Sequence, residues 1–272
     1  MLSVNTNASA MTALEYLNQT NAQLAQTENE VNTGMKVASA KDDGATFAIA
    51  QDMRGDVAGY SAVTDSLNRG TSAVDVAMSA GQSISDLLIQ MKQQALSASD
   101  QSLSTSDRTA MNDDFTALRD QIGTIVSNAS FNGFDLIDGT TTQITALASA
   151  DGSSHITVSA QTLTLTALSL SAATIGTQST ASGMISTIET ALTTVDAALS
   201  SLSSGAKKFS IQLGFVSQLS DSVTSGIGNL VNADMATESA QLTALQTKQQ
   251  LGVQALSIAN QAPSIVLSLF RG

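Results

Sequence analysis

Apolar residues recur at every seventh position from Met53 through Tyr60, Leu67 and Val74 to Leu88, with Gly81 keeping the register and Val57, Val63, Met78, Ile84 and Met91 falling between. A stripe of that period, uninterrupted by proline, predicts one long helix packed against others. Gly55, Gly59, Gly70 and Gly81 lower its helix propensity without forcing a break. The stretch SLSTSDRTAMNDDFTALRDQIGTIV (102–126) restarts a helix: Ser106 or Asp107 is placed to cap it, and Met111, Phe115, Leu118, Ile122 and Ile125 share one face. Helix returns at Gly183, where Met184, Ile188, Ala191, Val195, Ala198 and Leu202 alternate spacings of four and three. The pattern continues as Phe209, Leu213, Val216, Leu219 and Val223, after which Gly226 and Gly228 mark an expected joint.

The two end segments, 3–33 and about 233–270, carry narrower stripes. Leu17, Leu24 and Val31 are seven apart in the first. Leu242, Leu245, Leu256, Ala259 and Val266 hold heptad positions in the second, where Gln249 and Gly252 interrupt the seam. Asn, Gln, Thr and Ser fill the other faces. Helices this polar bury too little surface alone to offset their ordering entropy, so they are expected to pair with each other and with neighbouring molecules. The expected polymerisation surface comprises Val4, Leu14, Leu17, Leu24 and Val31 with Leu242, Leu245, Leu256, Asn260, Gln261, Ile265, Val266, Leu269 and Phe270. Ile258 is expected to join them, and Pro263 to kink its helix near Ala259.

Between the helical halves the character changes. FNGFDLIDG (131–139) ends in an Asp-Gly turn signal, and HITVSAQTLTLTALSL (155–170) alternates apolar residues with Ser and Thr. The fold class that follows is mainly α: a long antiparallel helical bundle or coiled-coil hairpin, with a small β-rich excursion of two or three strands at about 130–180.

Composition narrows the function. Aromatic residues make up 3% with no Trp, so the core is built from Ala, Leu, Ile, Val and Met. Charged residues make up 12%, against about 25% in ordinary domains. The net charge is −12, and Lys207-Lys208 is the one adjacent basic pair, which disfavours nucleic-acid binding. Without cysteine there is no disulfide, thiolate nucleophile or cysteine metal site. The first thirty residues lack a basic region followed by a continuous apolar run, and no run approaches the roughly 20 apolar residues that span a bilayer. The chain is expected to be soluble, or exported by a route that reads no cleaved signal. His155 is the one histidine and is expected in an exposed turn, with no His-Glu-x-x-His to make a zinc site. Asp42-Asp43 and Asp113-Asp114 fit helix starts or solvated faces better than cation loops. Asn7, Asn18 and Asn128 match an N-glycosylation pattern, incidentally, on helical segments. No nucleophile–base or phosphate-binding constellation occurs, so no enzyme and no cofactor are expected.

Four separated stretches resemble bacterial flagellin, in that family's order: SVNTN (3–7), NTGMKVASAKDDGATFAIA (32–50), SFNGFDLI (130–137) and the ungapped NADMATESAQLTALQTKQQLGVQALSIANQAPSIVLSLFR (232–271). Only about 140–180 lies outside the resemblance. It implies a structural subunit that self-assembles into the extracellular flagellar filament for motility, alone or mixed with related flagellins. It implies a terminal coiled-coil domain (1–34 and 233–272) lining the filament core and disordered in the free monomer, a helical tube domain (35–139 and 181–232), and a short solvent-facing variable region (140–180). Export through the flagellar type III apparatus without cleavage, an export chaperone on the C-terminal helix, and cap and hook-junction proteins as partners are implied as well.

One departure stands out. Where many flagellins carry an Arg-x-Arg-Glu-Leu element recognised by the animal innate-immune flagellin receptor, this chain reads QMKQQALSA, with Gln90, Lys92, Gln93 and Gln94 at those positions. Neither Lys nor Gln replaces the bidentate fork of Arg, so weak receptor stimulation is expected. The hydroxyl-rich segment offers Thr140, Thr142, Thr145, Ser153, Thr164 and Thr177 as candidate O-glycosylation sites, against the plain alternative of β-propensity and solubility. The competing functions are a hook–filament junction protein sharing these termini, a chemoreceptor-like helical signalling bundle, and a type III-secreted enzyme or toxin.

Overall fold

A computed structural model describes residues 6–269, with side chains to Gln261. The chain forms two compact units: one takes residues up to Gly55 and from Val223 onward, the other Asp56–Ser222.

The second unit is built on most of α2 (Gly44–Ala98), on α3 (Thr105–Asn128) and on most of α4 (Gln178–Val231). The heptad stripe of α2 delivers Leu67, Val74, Ile84, Leu88 and Met91 to one core. Phe115 and Ile122 of α3 and Ile188, Val195, Leu202 and Phe209 of α4 join them there. Ser104, rather than Ser106 or Asp107, caps α3. Its backbone is extended, and its hydroxyl accepts from the Asp107 amide at 3.2 Å while donating to the Asp107 carboxylate at 2.7 Å. A cap must be non-helical, and Ser106 and Asp107 are already inside the first turn. Buried Arg108 then donates to the carbonyls of Ala98 (2.8 Å) and Asp100 (2.7 Å), closing the end of α2.

Two other boundaries differ from expectation. α4 starts at Gln178, ahead of Gly183, because Thr177 and Thr180 exchange amide–hydroxyl bonds of 3.0 and 3.1 Å across its first turn. It also runs through Gly226 and Gly228 to Val231, because helical glycine lowers propensity without breaking a ladder. The joint lies at 232–234.

The excursion holds four short strands in two antiparallel hairpins. β1 (Ser130–Phe131) and β2 (Phe134–Asp135) turn at Asn132 and Gly133, with φ of 50° and 82°. β3 (Gln143–Leu147) and β4 (His155–Ser159) pair from Gln143↔Ser159 to Leu147↔His155. His155 is exposed as expected, although it opens β4 instead of lying in a turn. The alternation beyond Ser159 forms no strand. Gln161 and Leu163 donate backbone bonds to Leu136 and Ile137, and Leu163, Leu168, Leu170 and Ile175 are buried in the helical core. Those apolar side chains all enter one core instead of alternating across the faces of a sheet. The hairpin approaches α4 at Gly205, where an added Cβ would collide with the Val158 side chain.

In the first unit, α1 (Ala8–Thr33) ends at Gly34, in the left-handed region at φ 69°. The α1–α2 connection is tied to the 232–234 joint. Lys36 and Val37 donate to the Val231 carbonyl at 2.8 and 3.3 Å, and Ala233 donates to Gly34 at 3.0 Å. Val37, Ala50 and Val231 form a small core with Phe47 and Ile227. The helix-start expectation holds for Asp43, which caps α2 by accepting from the Thr46 hydroxyl (2.6 Å) and from the Ala45 and Thr46 amides. Asp113 and Asp114 lie exposed on α3. α5 (Met235–Leu269) is capped by Asp234, which accepts from the Ala236 amide and the Thr237 hydroxyl, and continues past Pro263.

Candidate functional site

The α1–α5 pair is where most of the sequence-assigned residues meet. Its antiparallel register is fixed by contacts that climb one helix while descending the other. Asn7 Nδ2 donates to the Ala259 carbonyl at 2.7 Å. Leu17 packs over Gly252, where an added Cβ would lie 3.2 Å from the leucine Cδ1. Gln249 Nε2 donates to Asn21 Oδ1 at 2.7 Å. The two positions that interrupt the heptad are therefore part of the seam: one supplies a polar clamp, the other a close approach.

The seam is thin. Leu24 and Leu245 are its buried aliphatic residues, and Thr20 and Thr27 are buried with them. A threonine is tolerated there because its hydroxyl bonds its own helix, as Thr20 does to the Tyr16 carbonyl at 2.8 Å. Leu17, Val31, Leu242 and Leu256 are half-buried, while Leu14, Asn260 and Gln261 are exposed. Val4 and Phe270 lie outside the described residues, as do the side chains of Ile265, Val266 and Leu269. Several exposed apolar side chains lie off the predicted stripe, among them Met11 and Tyr16, each 66% exposed, with Leu251 at 61% and Val253 at 55%. Ile258 is 67% exposed. Their sequence signal was the presence of large apolar residues on faces otherwise filled by Asn, Gln and Thr. A groove of about 440 Å³ runs between the helices, lined by Tyr16, Leu17, Thr20, Lys248, Leu251 and Gly252.

The cap carboxylates of this unit are held ionised. The Thr237 hydroxyl, then the Ala236 amide, lower the pKa of Asp234, and Thr46 does the same for Asp43. Among the described residues no cluster of three His, Cys, Asp or Glu is placed to hold a metal, and no helix is long and apolar enough to cross a membrane.

In the other unit, Lys92 forms an ion pair of 2.9 Å with Glu189 of α4. Gln90 and Gln93 are exposed, and Gln94 buries its Oε1 with no hydrogen-bond partner. Of the candidate acceptor hydroxyls, Thr140, Thr142, Thr145, Ser153 and Thr177 belong to exposed residues and Thr164 to a half-buried one. Thr140 is bonded to Asp138, Ser153 to Asp151 and Thr177 to Thr180.

Residues 4–142 match the family model for the bacterial flagellin N-terminal helical region, and 185–270 match that for the C-terminal helical region. Flagellin FljM of Caulobacter vibrioides is 52% identical over 270 residues, covering 99% of this chain and 98% of that protein. A flagellin of Brucella melitensis is 38% identical over 284 residues, covering 100% of both. Among solved structures, Bacillus cereus flagellin superposes with a TM-score of 0.51 at 20% identity, over 56% of this chain and 88% of that one. A putative flagellar hook-associated protein from Vibrio parahaemolyticus superposes with a TM-score of 0.60 at 14% identity, over 70% of this chain and all of that one. The structural likenesses speak for the fold alone. End-to-end sequence identity favours a filament subunit over a hook–filament junction protein or a chemoreceptor-like bundle. The chain belongs to the bacterial flagellin family, whose members are structural, self-assembling subunits of the extracellular flagellar filament and not enzymes.

Proposed function

We propose that this filament subunit polymerises through its paired terminal helices. The observation that carries the proposal is the exposure of large apolar side chains on α1 and α5: Met11, Leu14, Tyr16, Leu251, Val253 and Ile258. A contact that repeats head to tail without closing builds a helical filament, and one subunit touching several neighbours gains from each modest contact at once. Leu24 and Leu245 hold the pair together within one chain. The exposed side chains, with Asn260 and Gln261, meet the neighbours, and Val4, Ile265, Val266, Leu269 and Phe270 are proposed as part of the same polymerisation surface. Purified chain shifted to polymerising conditions is expected to form filaments of uniform width by negative-stain electron microscopy, and the L251S/I258S variant is not. Equal filament yield from both would remove the role of these side chains.

In the filament, segments 1–34 and 233–272 would form the inner core, 35–139 and 181–232 the tube, and 140–180 the outer surface. Export by the flagellar type III route, with a chaperone on α5 and with cap and hook-junction proteins at the filament ends, accompanies this arrangement. Export without cleavage is checked by the N-terminal sequence of filament protein. Engagement of Lys92 by Glu189 and the loss of both arginines support weak stimulation of the innate-immune receptor. A cell-reporter response equal to that of a motif-bearing flagellin would refute this. Exposure of Thr140, Thr142, Thr145, Ser153 and Thr177 is compatible with O-glycosylation, which an intact filament-protein mass above 27.8 kDa would reveal.

A further inference from the structure

The end of α1 and the start of α5 lie side by side. Ala233 donates to the Gly34 carbonyl at 3.0 Å, and Met35 and Asn232 form an antiparallel bridge. Farther along, Asn21 meets Gln249 and Leu17 meets Gly252. In this register Glu30, one turn before Gly34, faces Glu238, one turn after Asp234. Both residues are half-buried. Glu238 Oε2 is closed to solvent and receives no hydrogen bond. Glu30 Oε1 already accepts from Gln26 Nε2 at 2.9 Å.

An ionised carboxylate only accepts hydrogen bonds, so two of them cannot bond each other unless one carries a proton. The surroundings favour that proton. Asp234 adds a third carboxylate from the joint, and Lys36, from the connection after α1, is the cation that acts on Glu238. Lys41 and Asp42 line a groove with Glu30 and Lys36 and offset each other. The positive end of the α5 dipole is already shared with Asp234, the helix cap. Burial first, then the charge of Glu30 and the hydrogen bond with it, then Asp234, raise the pKa of Glu238 above its ordinary value, with Lys36 opposing.

We propose that Glu238 and Glu30 share one proton, which acts as a pH-operated latch joining the end of α1 to the start of α5. With the proton present, the buried Oε2 of Glu238 has a use and the two carboxyl groups attract. Without it, two carboxylates face each other in a half-buried site and the helix ends are pushed apart. The sign follows from the raised pKa. The stabilisation is complete below the unfolded-state value and is lost as pH rises through the folded-state value. The latch rests on the α1–α5 register and not on the assembly role of the exposed apolar side chains.

The test is infrared difference spectroscopy on the full-length chain, free and assembled, titrated from mildly acidic to mildly alkaline pH. A protonated-carboxyl band is expected to persist above the ordinary glutamate range in wild type and to be missing from both Glu238→Gln and Glu30→Gln. Hydrogen exchange of the amides in 26–34 and 235–242, corrected for intrinsic rate, should accelerate several-fold across the band's midpoint in wild type. In Glu238→Gln it should stay flat, because the amide keeps the hydrogen bond to Glu30 without titrating. A wild-type band that titrates in the ordinary range would overturn the latch, and that measurement needs no variant to fold. So would the same exchange profile in wild type and Glu238→Gln.

Discussion

The side-chain amide of Gln249 donates to Asn21 Oδ1 at 2.7 Å across the α1–α5 seam, at a point where a heptad would place an aliphatic residue. A neutral hydrogen bond of this kind contributes about 1 kcal/mol. Asn21→Ala and Gln249→Ala are each expected to weaken the pair by that amount. The double variant should lose little more than either single one, because they remove the same bond. Thermal dissociation of assembled filaments measures all three, and strictly additive losses would show that the two residues act independently.

The fold was legible where period and burial coincide. The α2 stripe from Leu67 to Leu88 reads as a core-facing helix because its pitch brings those residues to one side, and in the structure they are buried. The Ser/Thr-rich alternation after His155 misled for a physical reason. Period two predicts a strand only if a neighbour is there to pair with, and beyond Ser159 the leucines instead cover helices. At the candidate site, Gln249 and Gly252 read as defects because periodicity scores each helix alone. Their purpose depends on Asn21 and Leu17, more than 200 residues away. The Glu30–Glu238 pairing was hidden in the same way, since neither glutamate is unusual until the register places them together.

Gly205 is where hairpin β3–β4 approaches α4, and a Cβ there would strike both γ-methyls of Val158. Gly205→Ala gains helix propensity, yet it has to push the hairpin away. Overpacking a core site in this way costs about 1–3 kcal/mol, so a net loss of stability is expected. Adding Val158→Ala empties the contested space and should recover part of the loss. Thermal unfolding of the two variants beside wild type checks the order, and a Gly205→Ala protein as stable as wild type would mean that the hairpin yields freely.

The turn joining β3 to β4 is organised around Asp151, whose carboxylate accepts from the Ser149 hydroxyl at 2.5 Å and from the Ser153 hydroxyl and amide at 3.0 and 3.2 Å. The Ser149 bond first, then the Ser153 bonds, lower its pKa from 3.8 to about 2. With the folded value depressed, the turn's stabilisation is present above the unfolded value and fades as pH falls from 3.8 toward 2. The Asp151 side chain should stay ionised in NMR titrations at pH values where exposed aspartates have taken up their proton. Asp151→Ala should loosen the Ser153 amide and abolish that low-pH transition. An ordinary titration of Asp151 would show that the serine bonds are not held in solution.

Deleting 257–272 separates folding from assembly. The core of the Asp56–Ser222 unit draws on no buried residue beyond Val216, so its thermal transition should survive the deletion. The deletion removes the Ala259 carbonyl that anchors Asn7 and the exposed Ile258. The start of α1 then loses its partner, and a helix with so narrow an apolar stripe does not hold its form alone. Circular dichroism should show the main transition kept with some helix lost, and electron microscopy should show no filaments. If the shortened chain still polymerised normally, the interface would have to lie on the remaining helices, and the exposed apolar side chains of α1 and α5 would need another explanation.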